Sequence, residues 1–201
     1  MPAPRVEVAH ALFLQKSARH TVLAQGLPSI ADHQVRKLLA ELIMMRLFDD
    51  LQEFLQGVAV RLACGAPYVD GTSAVLLVPS FRSTTAAEAG FRTYNRNSPV
   101  LLKWSKPKFV RDATKHILAP NENLHSACVA AAGQLEEMRI VRNKVAHSGV
   151  AEYKDVVKKY YGAHINGASP GHLLLSPRFS PNLLQTYIQT CRAVARSVVK
   201  G

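Results

Sequence analysis

The chain has 201 residues, 48% of them hydrophobic, with 25 Lys and Arg against 14 Asp and Glu and a formal net charge of +11. That length and apolar content suffice for one domain with a sizeable core, and the positive balance points to polyanionic partners. No apolar stretch reaches the roughly 18 residues of a membrane span, and "MPAPRVEVAH" lacks the charged start and apolar run of a secretory signal. Cys64, Cys128 and Cys191 are odd in number and lie far apart in apolar surroundings, as buried, reduced thiols of a cytoplasmic protein would. No short-spaced Cys or His pairing of the zinc type occurs, and no glycine-rich phosphate loop occurs, so neither metal nor other cofactor is expected.

Helical spacing runs through the first 25 residues, with Val8, Leu12 and Val22 among its apolar positions, up to Gly26-Leu27-Pro28. Ser29 is the expected cap of a long second helix from Ile30 to about Cys64, closed by Gly65 and Pro67. Its apolar residues surround much of the circumference, as in a central bundle helix. Residues 66–105 break the pattern: "AVLLVPS" reads as a short strand or a buried extended run, and "FRSTTAAEAGFRTYNRNSP" as an insertion on a helical scaffold or a partly ordered loop. Helix returns from Pro107 to about Leu118, and Asn121 or Asn123 can cap another that reaches His147, where Ser148-Gly149 supplies the stop. "AEYKDVVKKYYG" predicts a short helix, "HINGASPGHLLLSPRFSP" a loop with one strand at most, and Asn182 to Val199 a closing helix. Together these describe one all-α domain, 1–201: an antiparallel helical bundle with a loop and short-strand insertion at 66–105 and an extension at 165–201.

The stretch "LEEMRIVRNKVAHSG", residues 135–149, crowds an arginine, an asparagine and a histidine into a helix end. An Arg five residues before a His occurs three times, at Arg5/His10, Arg111/His116 and Arg142/His147, so spacing alone selects none of them. Arg5 stands near a terminus, a poor platform for tight geometry, and His116, followed by Ile117 and Leu118, suggests a histidine packed at a core margin. On the third, at about 100° per residue, Leu135, Met138, Val141 and Val145 form a stripe to be buried. Glu136, Asn143 and His147 line another face beside Ile140. Arg142 and His147 are about 140° apart on that helix, so a shared cleft is easier to build from two copies across a two-fold axis.

"VRNKVAHSG" at the end of an apolar-striped helix, in a small basic helical protein, resembles the motif of the HEPN superfamily. There an arginine is followed after four to six residues by a histidine, with a polar residue next to the arginine; here these are Arg142, Asn143 and His147. The resemblance implies a dimerising helical bundle and, in many members, a metal-independent endoribonuclease of toxin, phage-defence or RNA-processing systems. Other members are inactive modules that bind RNA or a partner protein. A tyrosine two residues after the histidine is replaced by Gly149, which argues against the adenylylated-tyrosine subgroup; longer, defence-associated members are the closer likeness. The expected partners are RNA, a second copy that completes a composite active site, and an antitoxin or defence-system protein, with no membrane.

In such a site the ribose 2′-hydroxyl attacks the adjacent phosphate. His147 would act as base or acid, because imidazole titrates near neutral pH. Arg142, permanently charged and fork-shaped, would hold phosphate and transition-state charge, and Asn143 would orient the histidine or bond the ribose or phosphate. Arg139 and Lys144 adjoin the motif as RNA-binding candidates. "KWSKPKFVR", residues 103–111, adds Lys103, Lys106 and Lys108 for the backbone and Trp104 for base stacking. The favoured alternative for that stretch is that Trp104 and Phe109 anchor it to the bundle while the lysines keep an edge soluble.

Overall fold

The computed structural model describes residues 4–94, 104–162 and 167–201. Among them it is all-helical: α1 (Val6–Gly26), a 3-10 turn (Leu27–Ser29), α2 (His33–Ala63), α3 (Thr84–Tyr94), α4 (Pro107–Thr114), α5 (Asn123–Ala130), α6 (Ala132–Ala146), α7 (Tyr153–Tyr161), α8 (Pro170–Leu174) and α9 (Leu183–Val198). No helix is long and apolar enough to cross a membrane among the described residues.

The central element is α2. Its cap is Asp32, whose carboxylate accepts from the amides of Gln34 and Val35 at 2.7 and 3.1 Å; Ser29, the expected cap, instead lies in the preceding turn and donates to the Gly26 carbonyl. At its far end Gly65 takes φ +81°, a conformation that costs glycine least. Ile43, Met44, Leu47, Phe48, Leu51, Leu55, Val58 and Leu62 are buried along its inward side, against α1, α6, α8 and α9. Helix α1 runs antiparallel to it: Phe13 meets Phe54 with ring centroids 5.0 Å apart, while His20 reaches back to Asp50 at 2.8 Å. The inward residues of α1 are Val6, Ala9, Phe13, Ser17, His20 and Ala24. Val8, Leu12 and Val22, chosen from spacing, face outward at 55%, 47% and 67% exposure.

The 66–105 segment departs from expectation in carrying a helix, α3. "AVLLVPS" contributes a single antiparallel bridge, Leu76 to Leu118, in place of a strand. It is tethered by Glu122, which accepts from the Tyr68 hydroxyl and the Val75 amide, both at 2.7 Å. The helix expected to run unbroken to His147 is two helices, parted at Ala131 (φ −101°, ψ 11°). The break lets α5 lie on α9 while α6 lies on α2. Neither Asn121 nor Asn123 caps α5: Glu122 holds the cap position, and the Asn123 amide donates to the Ser197 and Lys200 carbonyls. The predicted loop after Gly167 contains α8, capped by Ser169, and α9 begins at Asn182, whose side chain accepts from the Gln185 amide at 3.0 Å.

Cys128 and Cys191 are fully buried, and burial pushes the Cys128 thiol up to about 12. Cys64, at the end of α2, is half-buried rather than buried, and all three thiols are free. His116 is exposed, whereas Ile117 and Leu118 beside it are buried.

Candidate functional site

The candidate site stands at the carboxyl end of α6. Leu135, Met138 and Val141 are buried, which fixes the helix against α2; Val145, the last of the predicted stripe, is only half-buried. The helix stops at Ala146 because His147 turns extended (φ −141°, ψ 135°), its amide still donating to the Asn143 carbonyl at 2.8 Å. Gly149 takes no positive φ, so the stop does not use the left-handed freedom of that glycine. The Lys144 ammonium donates to the Ser148 carbonyl just past the end, a placement favoured by the negative end of the helix dipole.

His147 is exposed on the turn after α6. Arg142 projects toward α2, where its Nη2 donates to the Asp49 carboxylate at 3.2 Å, with 26% of the side chain exposed. Its Nε is buried and has no hydrogen-bond partner among the described residues. No hydrogen bond joins the Arg142 and His147 side chains. Asn143 is half-buried and touches His147 through its carbonyl, not through the side-chain amide expected to orient the ring. Lys144 sits 6.0 Å from the Tyr153 ring centroid.

The flanking basic residues are largely engaged. Arg139 makes a two-pronged pair with Glu136, at 2.9 and 2.7 Å, and Lys106 approaches the same carboxylate at 3.0 Å. Arg139, with a smaller share from Lys106, holds the Glu136 carboxyl below the usual carboxylate range. Lys106 also lies 5.6 Å from the Phe109 ring centroid. Trp104 is 4% exposed and packs edge-on against Phe91 at 6.0 Å, so its face is closed to a stacking base. The anchoring alternative describes it correctly, because an indole is large enough to be worth more in the core than in water. Lys108 is exposed; Lys103 lies outside the described residues.

Two carboxylates escaped the sequence reading. Asp49 is the partner of Arg142 from 93 residues earlier in the chain, and no local pattern could have paired them. Glu137 is 8% exposed on the side of α6 away from solvent, where Tyr160 and Tyr187 donate to its Oε1 at 2.5 and 2.7 Å and Lys159 to its Oε2 at 2.5 Å. Burial, and then the Glu137 carboxylate, hold the Tyr160 and Tyr187 hydroxyls far above the ordinary tyrosine value. A glutamate at the edge of the apolar stripe, about 40° around the helix from Val141, was the available signal. This cluster locks α7 and α9 onto α6 and so supports the helix end that carries Arg142 and His147.

Comparison of the chain with protein families, with curated proteins and with solved structures found no match in any of the three.

Proposed function

We propose that this protein is a metal-independent endoribonuclease of the kind the HEPN-like motif implies, working as a homodimer in the cytoplasm as a toxin or phage-defence effector. The observation that carries the reading is the division of labour at the end of α6. An exposed imidazole, His147, stands at the end of a rigid helix, and one turn earlier a guanidinium, Arg142, is held by a single contact to Asp49. In that chemistry the 2′-oxygen loses its proton to a base, attacks the adjacent phosphorus and expels the 5′-oxygen, which takes a proton from an acid. The products carry 2′,3′-cyclic phosphate and 5′-hydroxyl ends. His147 supplies one of the two proton transfers. Arg142, by exchanging Asp49 for phosphate, neutralises charge on the pentacoordinate phosphorus.

The test is incubation of labelled RNA with the protein in EDTA. Cleavage that survives the chelator and vanishes in His147→Ala and Arg142→Ala supports the proposal; binding without cleavage in all three proteins refutes it. One feature favours a second reading, a catalytically inactive module that binds RNA or a partner protein. Arg142, Arg139 and Lys106 all face carboxylates, which weakens the positive field at the motif.

A further inference from the structure

Helix α2 is apolar on two opposite sides, and only one of them has a partner within the chain. Written in sevens, Val35, Leu38, Leu42 and Met45 fall at alternating intervals of three and four, the spacing of a helix-pairing seam. On the reverse side of the same helix Ala40 and Leu47 are completely buried in the bundle. The outward residues are not: Val35 is 41% exposed, Leu38 64% and Leu42 53%, while Met45 is half-buried. Beside the seam, Val22 and Leu23 of α1 are 67% and 57% exposed and help line an apolar groove of about 510 Å³ that ends at Arg46. An uncovered apolar surface that continues over two helices is uncommon on a monomer and marks an association site.

We propose that a second copy of this chain covers this face, its α2 lying parallel to the first along the Val35–Leu38–Leu42–Met45 seam. The charges beside the seam support a copy of itself over other occupants. Glu41 and Arg46 border it on opposite sides, five residues apart, the offset at which flanking positions of parallel paired helices meet. Glu41 of one copy therefore falls opposite Arg46 of the other, twice in a two-fold pair. The Glu41 Oε1 accepts from the Gly171 amide at 2.7 Å, which leaves its second oxygen for the partner. Arg46 has no carboxylate partner among the described residues. The next position of the seam is Asp49, the residue that holds Arg142. Parallel pairing brings the two Asp49–Arg142 pairs to the same end of the interface, where each arginine neutralises its own carboxylate. The composite cleft of the proposed nuclease then lies there; that last consequence rests on the functional reading, while the seam does not.

Light scattering on the full chain after size exclusion tests it. Wild type is expected at twice the protomer mass and the Leu38→Glu/Leu42→Glu variant at the protomer mass with unchanged helical circular dichroism. Leu38→Cys and Met45→Cys are each expected to form an interchain disulfide on mild oxidation, because a parallel pair brings every seam position beside its own copy whereas an antiparallel pair does so only at its centre. Val8→Cys, exposed elsewhere on α1, serves as control. A monomeric wild type, an unchanged mass in the double variant, or a missing crosslink at position 38 or 45 overturns the proposal. So does a monomer that sediments with anionic lipid vesicles through the same leucines, which would make the occupant a membrane surface. Pairing that persists without RNA cleavage sinks the nuclease alone, and cleavage by a monomer sinks the seam alone.

Discussion

The two flanks of α6 are built on opposite principles. On one, Glu137 is buried and its carboxylate is satisfied by two tyrosines and a lysine; on the other, Arg142 has one long contact and His147 stands in solvent. A buried polar group left without partners costs more than its hydrogen bonds contribute, so such a cluster rigidifies the helix that owns it. A group meant to meet a ligand must be left open. The comparison teaches that the buried cluster fixes the platform, whereas at the tip His147 stands open and Arg142 is held by one partly exposed pair.

The comparison breaks first at His147. His147→Ala is expected to lower RNA cleavage by about 10²–10⁴-fold, the usual share of a proton-transfer group, with the melting temperature unchanged; a cleavage assay beside a thermal melt separates the two. Trp104→Ala is expected to do the reverse. Its indole is core, so the loss is stability, about 3–5 kcal/mol by urea unfolding, whereas Lys108→Ala leaves stability alone. Glu137→Ala should cost about 2–3 kcal/mol, because it leaves the buried Tyr187 hydroxyl and the half-buried Tyr160 hydroxyl without an acceptor. If unfolding midpoints show no loss, the platform argument is wrong.

A smaller effect is set by His125, buried with its Nε2 2.5 Å from the Thr114 hydroxyl. Burial holds its pKa below the ordinary 6.5, so the unfolded chain takes up this proton before the folded one. Its contribution is complete above pH ~6.5 and declines as pH falls toward the lowered folded value. Urea midpoints across that window should fall with pH, and less so in His125→Gln. Least of all, Asp49→Asn is expected to cost under about 1 kcal/mol, since the pair is partly exposed. Its use is to sharpen the contrast: freeing Arg142 should strengthen binding of a single-stranded RNA, read by fluorescence anisotropy at low salt.

Helices α2, α7 and α9 were legible because their signals are local. Apolar spacing, Gly65 and Gly162 at the ends and Asn182 at a start act within a few residues of where they stand. The candidate motif was legible for the same reason. What failed was orientation. Val8 and Leu12 share the spacing of Val6, Ala9 and Phe13 closely enough that periodicity does not say which set turns inward. Trp104 could be read as a stacking surface or as an anchor, and the favoured anchor reading holds; its partner Phe91 lies on a helix that sequence patterning had assigned to the insertion.

The amino-acid order by itself determined the helical class, the basic balance and the nearness in sequence of Arg142, Asn143 and His147 around one helix end, since helix propensity, charge and residue spacing are properties of neighbours in the chain. Tertiary structure alone decided that Asp49 would hold Arg142, that Glu137 would be buried among tyrosines, and that the Val35–Met45 side of α2 would be left uncovered. Those outcomes depend on which faces compete for a finite interior, and that competition is between residues far apart in the chain.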